Sequence, residues 1–173
     1  MNRKSKMVKR ALKDALLDLL EERPLTSVSV RGLCDLADIN RSTFYAYYED
    51  IYALVAEMED DFLSHVVFFD GNQPTKDNLA SIEAHVHYVK ENQRLFLLLL
   101  ENGKLSSKLL SYSAEQNYYQ AESHFYATLV AYSLYGSISA LTYWLKHPDS
   151  RTEQEMAQLL YRCSCAIAEV QFQ

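Results

Sequence analysis

The chain contains few residues that break helices. Its 173 residues include only 4 glycines and 3 prolines, and its β-branched residues rarely cluster. Because glycine and proline end helices and mark the turns between short strands, their scarcity favours long helices over many strands. We therefore predict an all-α protein, long enough for one ordinary domain or for two small ones that share a core.

The charge is distributed unevenly along this otherwise ordinary globular composition. The net charge is -6, yet residues 1–13 contain six basic side chains and no acid. A chain that is acidic as a whole but basic at one end can still present that end to a polyanion. A solvated, disordered start would have the same composition, so both alternatives stay open at this point.

The three cysteines show no framework spacing. Cys163 and Cys165 are two residues apart and would point to nearly opposite sides of a helix, whereas a zinc or redox site needs ligands that converge. We expect reduced thiols, no metal and no cofactor. The basic start has no apolar run or cleavage signature behind it, so we expect no secretion signal and a cytoplasmic protein.

The first fifty residues have the outline of a helix-turn-helix unit. Apolar residues recur at helical spacing before Pro24, and Ser29 is placed to cap a short second helix. Asp38 would take a left-handed conformation in the turn, and a third helix of about two turns follows from Arg41. Asp50 would cap a long fourth helix. Two short helices joined by a three-residue turn, after one longer helix, are typical of a DNA-binding unit. The first helix has this apolar stripe: Val8, Leu12, Ala15, Leu16, Leu19 and Leu20.

The segment SVRGLCDLADINRSTFYAYYEDIYALV resembles the DNA-binding signature of TetR-family transcriptional regulators. The family pattern reads roughly T-V-x-x-I-A-x-x-A-G-V-S-x-x-T-F-Y-x-H-F-x-x-K-x-x-L. This chain departs from it with Asp38 in place of the turn glycine, Tyr47 in place of a histidine and Ile51 in place of a lysine. The matching positions are Val30, Leu33, Ala37, Ile39, Thr43, Phe44, Tyr45 and Leu54, with Ser29, Asn40 and Tyr48 as near equivalents.

The resemblance implies a DNA-reading surface on the third helix. Phe44 and Tyr48, four residues apart, should point inward. Thr43, Tyr45 and Tyr47 lie largely off that stripe, and their hydroxyl groups should reach phosphates and base edges. Arg41 is the best candidate to read a guanine or to grip a phosphate. The lysine missing at position 51 removes one phosphate contact, so affinity should depend on the basic N-terminal arm. The expected DNA-binding residues are Arg3, Lys4, Lys6, Ser29, Arg31, Arg41, Ser42, Thr43, Tyr45 and Tyr47.

The remaining chain, after a breaker segment at residues 70–78, is also predicted to be helical. Residues 123–145 form the longest uncharged run, which we interpret as a helix buried on both sides and not as a membrane span, because hydroxyl groups and a histidine interrupt it. The run and the final helix resemble the pair that in TetR-family proteins forms a four-helix bundle with its two-fold mate. The segment YSLYGSISALTYWLKHPDSRTEQEM also resembles part of a family branch that includes the dihydroxyacetone kinase operon regulators. We expect a homodimer, with the following interface residues: Phe125, Leu129, Tyr132, Gly136, Ala140, Tyr143, Met156, Leu160, Cys163 and Ile167.

The function expected from the resemblance is that of a DNA-binding transcriptional regulator that binds a palindromic operator as a homodimer. Repression is the commoner mode in the family, so we expect a repressor. Residues 1–50 would bind DNA, and residues 51–173 would form a regulatory and dimerisation domain. No catalytic motif occurs, so we expect no enzyme. The effector would be a small molecule or a partner protein, and its site would include His85, Tyr88, Phe96, Tyr112 and Tyr126. Ordinary core or rim is the simpler interpretation of any single one of them. The alternative is a TetR-like interaction module, or a coactivator-dependent activator with weak or no operator binding of its own.

Overall fold

The computed structural model describes residues 3–65, 76–102, 104–113, 124–147 and 151–171, and these residues form helices with no strand among them. The predicted all-α class is therefore confirmed. The helices are α1 (Arg3–Glu22), α2 (Val30–Ala37), α3 (Arg41–Tyr45), α4 (Ile51–Leu63), α5 (Lys76–Glu91), α6 (Gln93–Asn102), α7 (Leu105–Ser113), α8 (His124–Lys146) and α9 (Glu153–Gln171), with a short 3-10 helix at Leu25–Ser27.

The chain divides into two compact units. The first comprises Met1–Ser64 and Arg94–Lys104, and the second comprises His65–Gln93 and Leu105–Gln173. Helices α4 and α6 thus lie in the same unit as the predicted DNA-binding helices. A functional division at residue 50 stays a prediction.

The core of the first unit is built on the apolar stripe of α1. All six predicted stripe residues are buried, and the helix ends at Glu22, just before Pro24. Phe62 of α4 stacks on Phe96 of α6, with ring centroids 5.6 Å apart. The buried carboxylate of Glu59, which keeps only 2% of its surface exposed, accepts a hydrogen bond from the Lys104 backbone N–H at 2.5 Å. Burial of this acid is therefore compensated by a backbone donor.

The second unit is organised by α9, which packs against both α5 and α8. A capping box starts α9, because the Thr152 hydroxyl accepts a hydrogen bond from the Glu155 N–H and the Glu155 carboxylate accepts one from the Thr152 N–H. The indole Nε1–H of buried Trp144 donates to the Arg151 carbonyl at 2.8 Å, and the Lys90 ammonium lies 5.2 Å from the centroid of the Trp144 ring. These contacts connect the ends of α5, α8 and α9.

Three expectations about the helices are corrected. Helix α5 begins at Lys76, inside the predicted breaker segment, and α3 spans five residues in place of about two turns. Helix α8 is not buried on both sides within one chain, because Tyr132, Tyr135 and Tyr143 are exposed. In the described part of the chain, no helix is both long enough and apolar enough to cross a membrane.

Candidate nucleic-acid interface

The turn between α2 and α3 has the geometry that the sequence predicts. The Ser29 hydroxyl accepts a hydrogen bond from the Gly32 N–H at 3.1 Å and so caps α2. Asp38 ends that helix in the left-handed conformation, with φ 53° and ψ 43°, which aspartate tolerates better than most residues. The Ile39 N–H then donates to the Cys34 carbonyl at 3.0 Å. These local bonds turn the chain sharply between the two helices.

Two inward aromatic side chains hold α3 against the rest of the first unit. Phe44 is fully buried and Tyr48 nearly so, as predicted, and their ring centroids are 5.7 Å apart. Tyr48 and its neighbour Tyr47 lie beyond the end of α3, where the N–H groups of both residues donate to the Phe44 carbonyl. Tyr47 therefore belongs to the turn after the short helix and not to the helix itself.

The outward side of this unit presents most of the predicted DNA-binding side chains. Arg41 and Ser42 are exposed and Thr43 is half-buried, while Tyr45 and Tyr47 keep 58% and 37% of their surface exposed. Arg31 is exposed as well but lies 3.7 Å from the Asp35 carboxylate. The structure thus brings one guanidinium and several hydroxyl groups to the same short segment.

The basic start of the chain is helical. Helix α1 begins at Arg3, and Arg3, Lys4 and Lys6 are exposed along its first turns. The predicted N-terminal arm is therefore, from Arg3 onward, a continuation of α1. A phosphate-binding role for these three residues remains a prediction.

Lys9 and Lys13, two of the six basic residues at the start, are paired with acids of α4, which the sequence reasoning missed. Lys9 donates to the Glu57 carboxylate at 2.5 Å, and Lys13 contacts Glu57 at 2.9 Å and also bonds to Asp61. Partial burial alone would raise the pKa of Glu57, but its hydrogen bonds to Lys9, Lys13 and Tyr48 outweigh this effect and lower it. A signal was present: two lysines four apart on α1 match two acids four apart on α4.

Tyr48 joins this group of charges. Its hydroxyl donates to Glu57 Oε1 at 3.1 Å, and the Lys9 ammonium lies 5.3 Å from the centroid of the Tyr48 ring and 6.0 Å from that of Tyr47. Burial, followed by the negative charge of Glu57, raises the pKa of the Tyr48 phenol. The phenol therefore stays protonated and remains a donor to Glu57 at neutral pH.

The predicted dimer residues occupy different environments in the second unit. Met156 and Leu160 are buried in the core of their own chain, whereas Cys163 is exposed and Leu129, Ala140 and Ile167 are half-buried. Tyr132, Gly136 and Tyr143 lie on the exposed face of α8, and a Cβ added at Gly136 would meet no atom within 4 Å. The side chain of Phe125 lies outside the described residues.

The predicted effector residues do not form one group within a single unit. Phe96 belongs to the core of the first unit, while His85 and Tyr88 lie on α5 in the second. The side chains of Tyr112 and Tyr126 lie outside the described residues. Nδ1 of His85 is buried without a hydrogen-bond partner in the described part of the chain. That part also contains no group of three His, Cys, Asp or Glu residues that could hold a metal ion.

Helices α2 and α3, with the sharp turn between them, form a helix-turn-helix, a motif that many transcriptional regulators use to bind DNA. No known family model matches the chain. It is 22% identical over 163 residues to the "Uncharacterized HTH-type transcriptional regulator YxbF" of Bacillus subtilis (strain 168), an alignment that covers 87% of this chain. The chain spans only 43% of the length of that relative.

Among solved structures, the fold is similar to that of the "Dihydroxyacetone kinase operon activator DhaS". The TM-score is 0.59 at 15% sequence identity, and the match covers 94% of this chain and 97% of the other. This match shows the fold, over nearly the whole of both chains. The weak homology to YxbF is independent of it and relates the sequence to a helix-turn-helix regulator.

Proposed function

We propose that this chain is a TetR-type, DNA-binding transcriptional regulator that recognises a palindromic operator as a homodimer. The observation that supports this proposal best is the helix-turn-helix itself, with its Ser29 cap, the left-handed Asp38 and an outward surface of Arg41, Ser42 and Tyr45. Such a surface suits DNA because hydroxyl and guanidinium groups bond to both phosphates and base edges. Residues 1–50 would supply this contact, and residues 51–173 would regulate and dimerise.

The exposed face of α8 supports dimerisation. Tyr132, Gly136, Ser139 and Tyr143 recur at helical spacing and are exposed in the single chain, with Tyr132 and Tyr143 at 70% and 64%. A helix with no charged residue before Lys146 is an unusual one to leave in water. Tyrosines are enriched in protein interfaces, and Gly136 would permit a second helix to approach closely. We therefore propose that this face, together with Cys163 and Ile167 of α9, contacts a second copy.

A dimer also has a purpose in DNA recognition. Because α3 is only five residues long, a single copy offers too little contact for tight binding. Two copies related by a two-fold axis would read half-sites one helical turn apart, roughly 34–36 Å. Repression is the proposed mode, acting in the cytoplasm under control of a small-molecule effector or a partner protein, whereas the printed name of DhaS describes an activator.

The internal pairing of charge favours a second candidate function. Lys9 and Lys13 bond to Glu57 and Asp61, and Glu49 and Asp50 are exposed close to α3. These features reduce the positive charge available to phosphates. The second candidate is therefore a protein-interaction module, or an activator that needs a coactivator because its own operator binding is weak.

Selection of duplexes from a random DNA library at moderate salt tests the proposal. Enrichment of a palindrome with half-sites about one turn apart is expected. Arg41→Ala should then weaken binding by about 1–3 kcal/mol and relax the preference at one position of each half-site. Arg23→Ala, which removes an exposed arginine that pairs with Glu22 outside the helix-turn-helix, is the matched control and should leave the motif unchanged. Failure of a folded, dimeric protein to enrich any sequence would favour the second candidate.

A further inference from the structure

A group of bonded polar side chains in the first unit lies next to the candidate DNA-reading segment. We call it the Glu57 cluster, and it consists of Lys9, Lys13, Tyr48, Glu57 and Asp61. Glu57 Oε2 accepts from Lys9 at 2.5 Å, while Oε1 contacts the Lys13 ammonium at 2.9 Å and the Tyr48 hydroxyl at 3.1 Å. One carboxylate thus connects α1, α4 and the turn after α3.

This cluster is more than a set of surface ion pairs. The side chains of Lys9 and Lys13 are each only 22% exposed, and that of Glu57 is 29% exposed. Exposed pairs contribute little because water and salt screen them, but hydrogen bonds to a partly buried charge are stronger. Removing Glu57 would deprive the partly buried Lys9 ammonium and Tyr48 hydroxyl of this shared acceptor. Moving these side chains apart therefore costs more free energy than separating exposed ion pairs would.

The cluster acts on the part of the molecule proposed to read DNA. The buried Tyr48 ring packs against Phe44 of α3 and against Tyr47, at centroid distances of 5.7 and 6.5 Å. Lys9 lies within 6.0 Å of the ring centroids of both Tyr47 and Tyr48. Glu57 bonds to both the Tyr48 hydroxyl and the Lys9 ammonium, so it is connected through them to the turn after α3 and to the Tyr47 ring.

We propose that Glu57, Tyr48 and Lys9 are positioning residues for DNA sequence discrimination. They set the orientation of α3 and Tyr47 towards base edges, and they hold the ammonium groups of Lys9 and Lys13 away from phosphates. The proposal rests on the DNA-binding function proposed above. It predicts that Glu57, without contacting a base itself, increases discrimination between DNA sequences and lowers non-specific attraction to DNA.

Two conservative variants separate these effects. Tyr48→Phe removes only the hydroxyl and changes no charge, so discrimination should fall roughly tenfold, about the value of one base contact, while the salt dependence stays the same. Glu57→Gln should cause a similar loss of discrimination, and it should also steepen the slope of log K against log salt by roughly one to two units because two lysines become available to phosphates. A glutamine at position 57 keeps a carbonyl oxygen that can accept from the Tyr48 hydroxyl, so the double variant should discriminate less well than Glu57→Gln alone.

The measurement is binding to the selected palindrome and to a shuffled duplex of equal length, each at several salt concentrations, with helical content and melting temperature checked for every variant. The control is Glu49→Gln, which removes an exposed acid near α3. It should strengthen binding to both duplexes equally and leave discrimination unchanged. A purely structural role of the cluster would weaken binding to both duplexes in parallel.

Discrimination within twofold of the original chain in both Tyr48→Phe and Glu57→Gln would overturn the positioning role while leaving the proposed function intact. Equal losses on both duplexes would overturn it in the same way. An original chain that prefers no duplex would overturn both proposals, because there would be no discrimination for the cluster to support.

Discussion

Two histidines that lie two residues apart on α5 should respond to acid in opposite ways, and His85 gives the larger effect. Its Nδ1 atom is buried without a hydrogen-bond partner among the described residues, and burial lowers its pKa from 6.5 to about 4. The folded protein therefore resists protonation of His85, whereas the unfolded chain accepts the proton near pH 6.5. Replacing His85 by leucine removes this difference while keeping a side chain suited to a partly buried position.

The magnitude follows from linkage between protonation and folding. Where the unfolded state binds more protons than the folded state, the free energy of unfolding decreases as the pH falls. For His85 this window runs from about pH 6.5 down to about pH 4. The loss at pH 5 is about 2 kcal/mol relative to pH 7.5, and it approaches about 3 kcal/mol below both pKa values. The free energy of unfolding of His85→Leu should therefore fall by about 2 kcal/mol less between pH 7.5 and pH 5 than that of the original chain.

Urea denaturation at a series of pH values measures this difference, and the single tryptophan of the chain, Trp144, reports on the second unit. His87→Gln is the control. The hydrogen bond of His87 to Glu153 at 3.0 Å raises its pKa, so its contribution is complete at low pH and is lost as the pH rises through the raised value. The two variants should deviate from the original chain with opposite signs. Parallel pH profiles for His85→Leu and the original chain would refute the argument from burial.

Three further predictions concern the core, a cap and the proposed dimer. Phe62→Ala should lower the free energy of unfolding by about 3–5 kcal/mol, because a fully buried ring is lost, and urea denaturation followed by circular dichroism measures this. Ser29→Ala should cost about 1 kcal/mol in the same assay because the cap of α2 is lost, and an unchanged midpoint would contradict that role. Tyr132→Asp should shift sedimentation from dimer to monomer, whereas Tyr52→Asp, an equally drastic change of an exposed tyrosine on α4, should leave a dimer.

The local features of the first unit could be predicted because they depend on residues within one helical turn. The caps at Ser29 and Asp50 and the left-handed Asp38 follow from side chains that bond or bend within three or four positions, and all three are confirmed. The Glu57 cluster was missed because its lysines lie far from its acids along the chain. Lys9 and Glu57 are 48 residues apart, as are Lys13 and Asp61. Charge spacing on each helix indicated compatible pairs, but only the folded structure could bring the side chains of α1 and α4 within bonding distance.

Helical periodicity predicted less about the second unit, because the buried and exposed side chains of its helices differ little in hydrophobicity. In α8 the buried side chains Ser133, Leu141 and Trp144 differ little in polarity from the exposed tyrosines, so the sequence did not distinguish an inner from an outer face. In α9 the buried set includes Ala157 and Ala168. These small residues carry little hydrophobic signal. The residues of α9 predicted for the dimer interface therefore included both buried Met156 and exposed Cys163.

The distribution of charge connects the two proposals about DNA. A chain with a net charge of -6 gains little long-range attraction to a polyanion, and Glu57 and Asp61 bind two of the six cations at its basic end. Phosphate contacts give affinity for every sequence alike, while hydroxyl and guanidinium contacts to base edges distinguish one sequence from another. If the chain reads DNA as proposed, holding Lys9 and Lys13 internally would lower non-specific binding more than binding to a specific site. On this argument, the bonds of Glu57 and Asp61 to the two lysines would have two effects at once. They would reduce the affinity for any DNA and increase the discrimination between sequences.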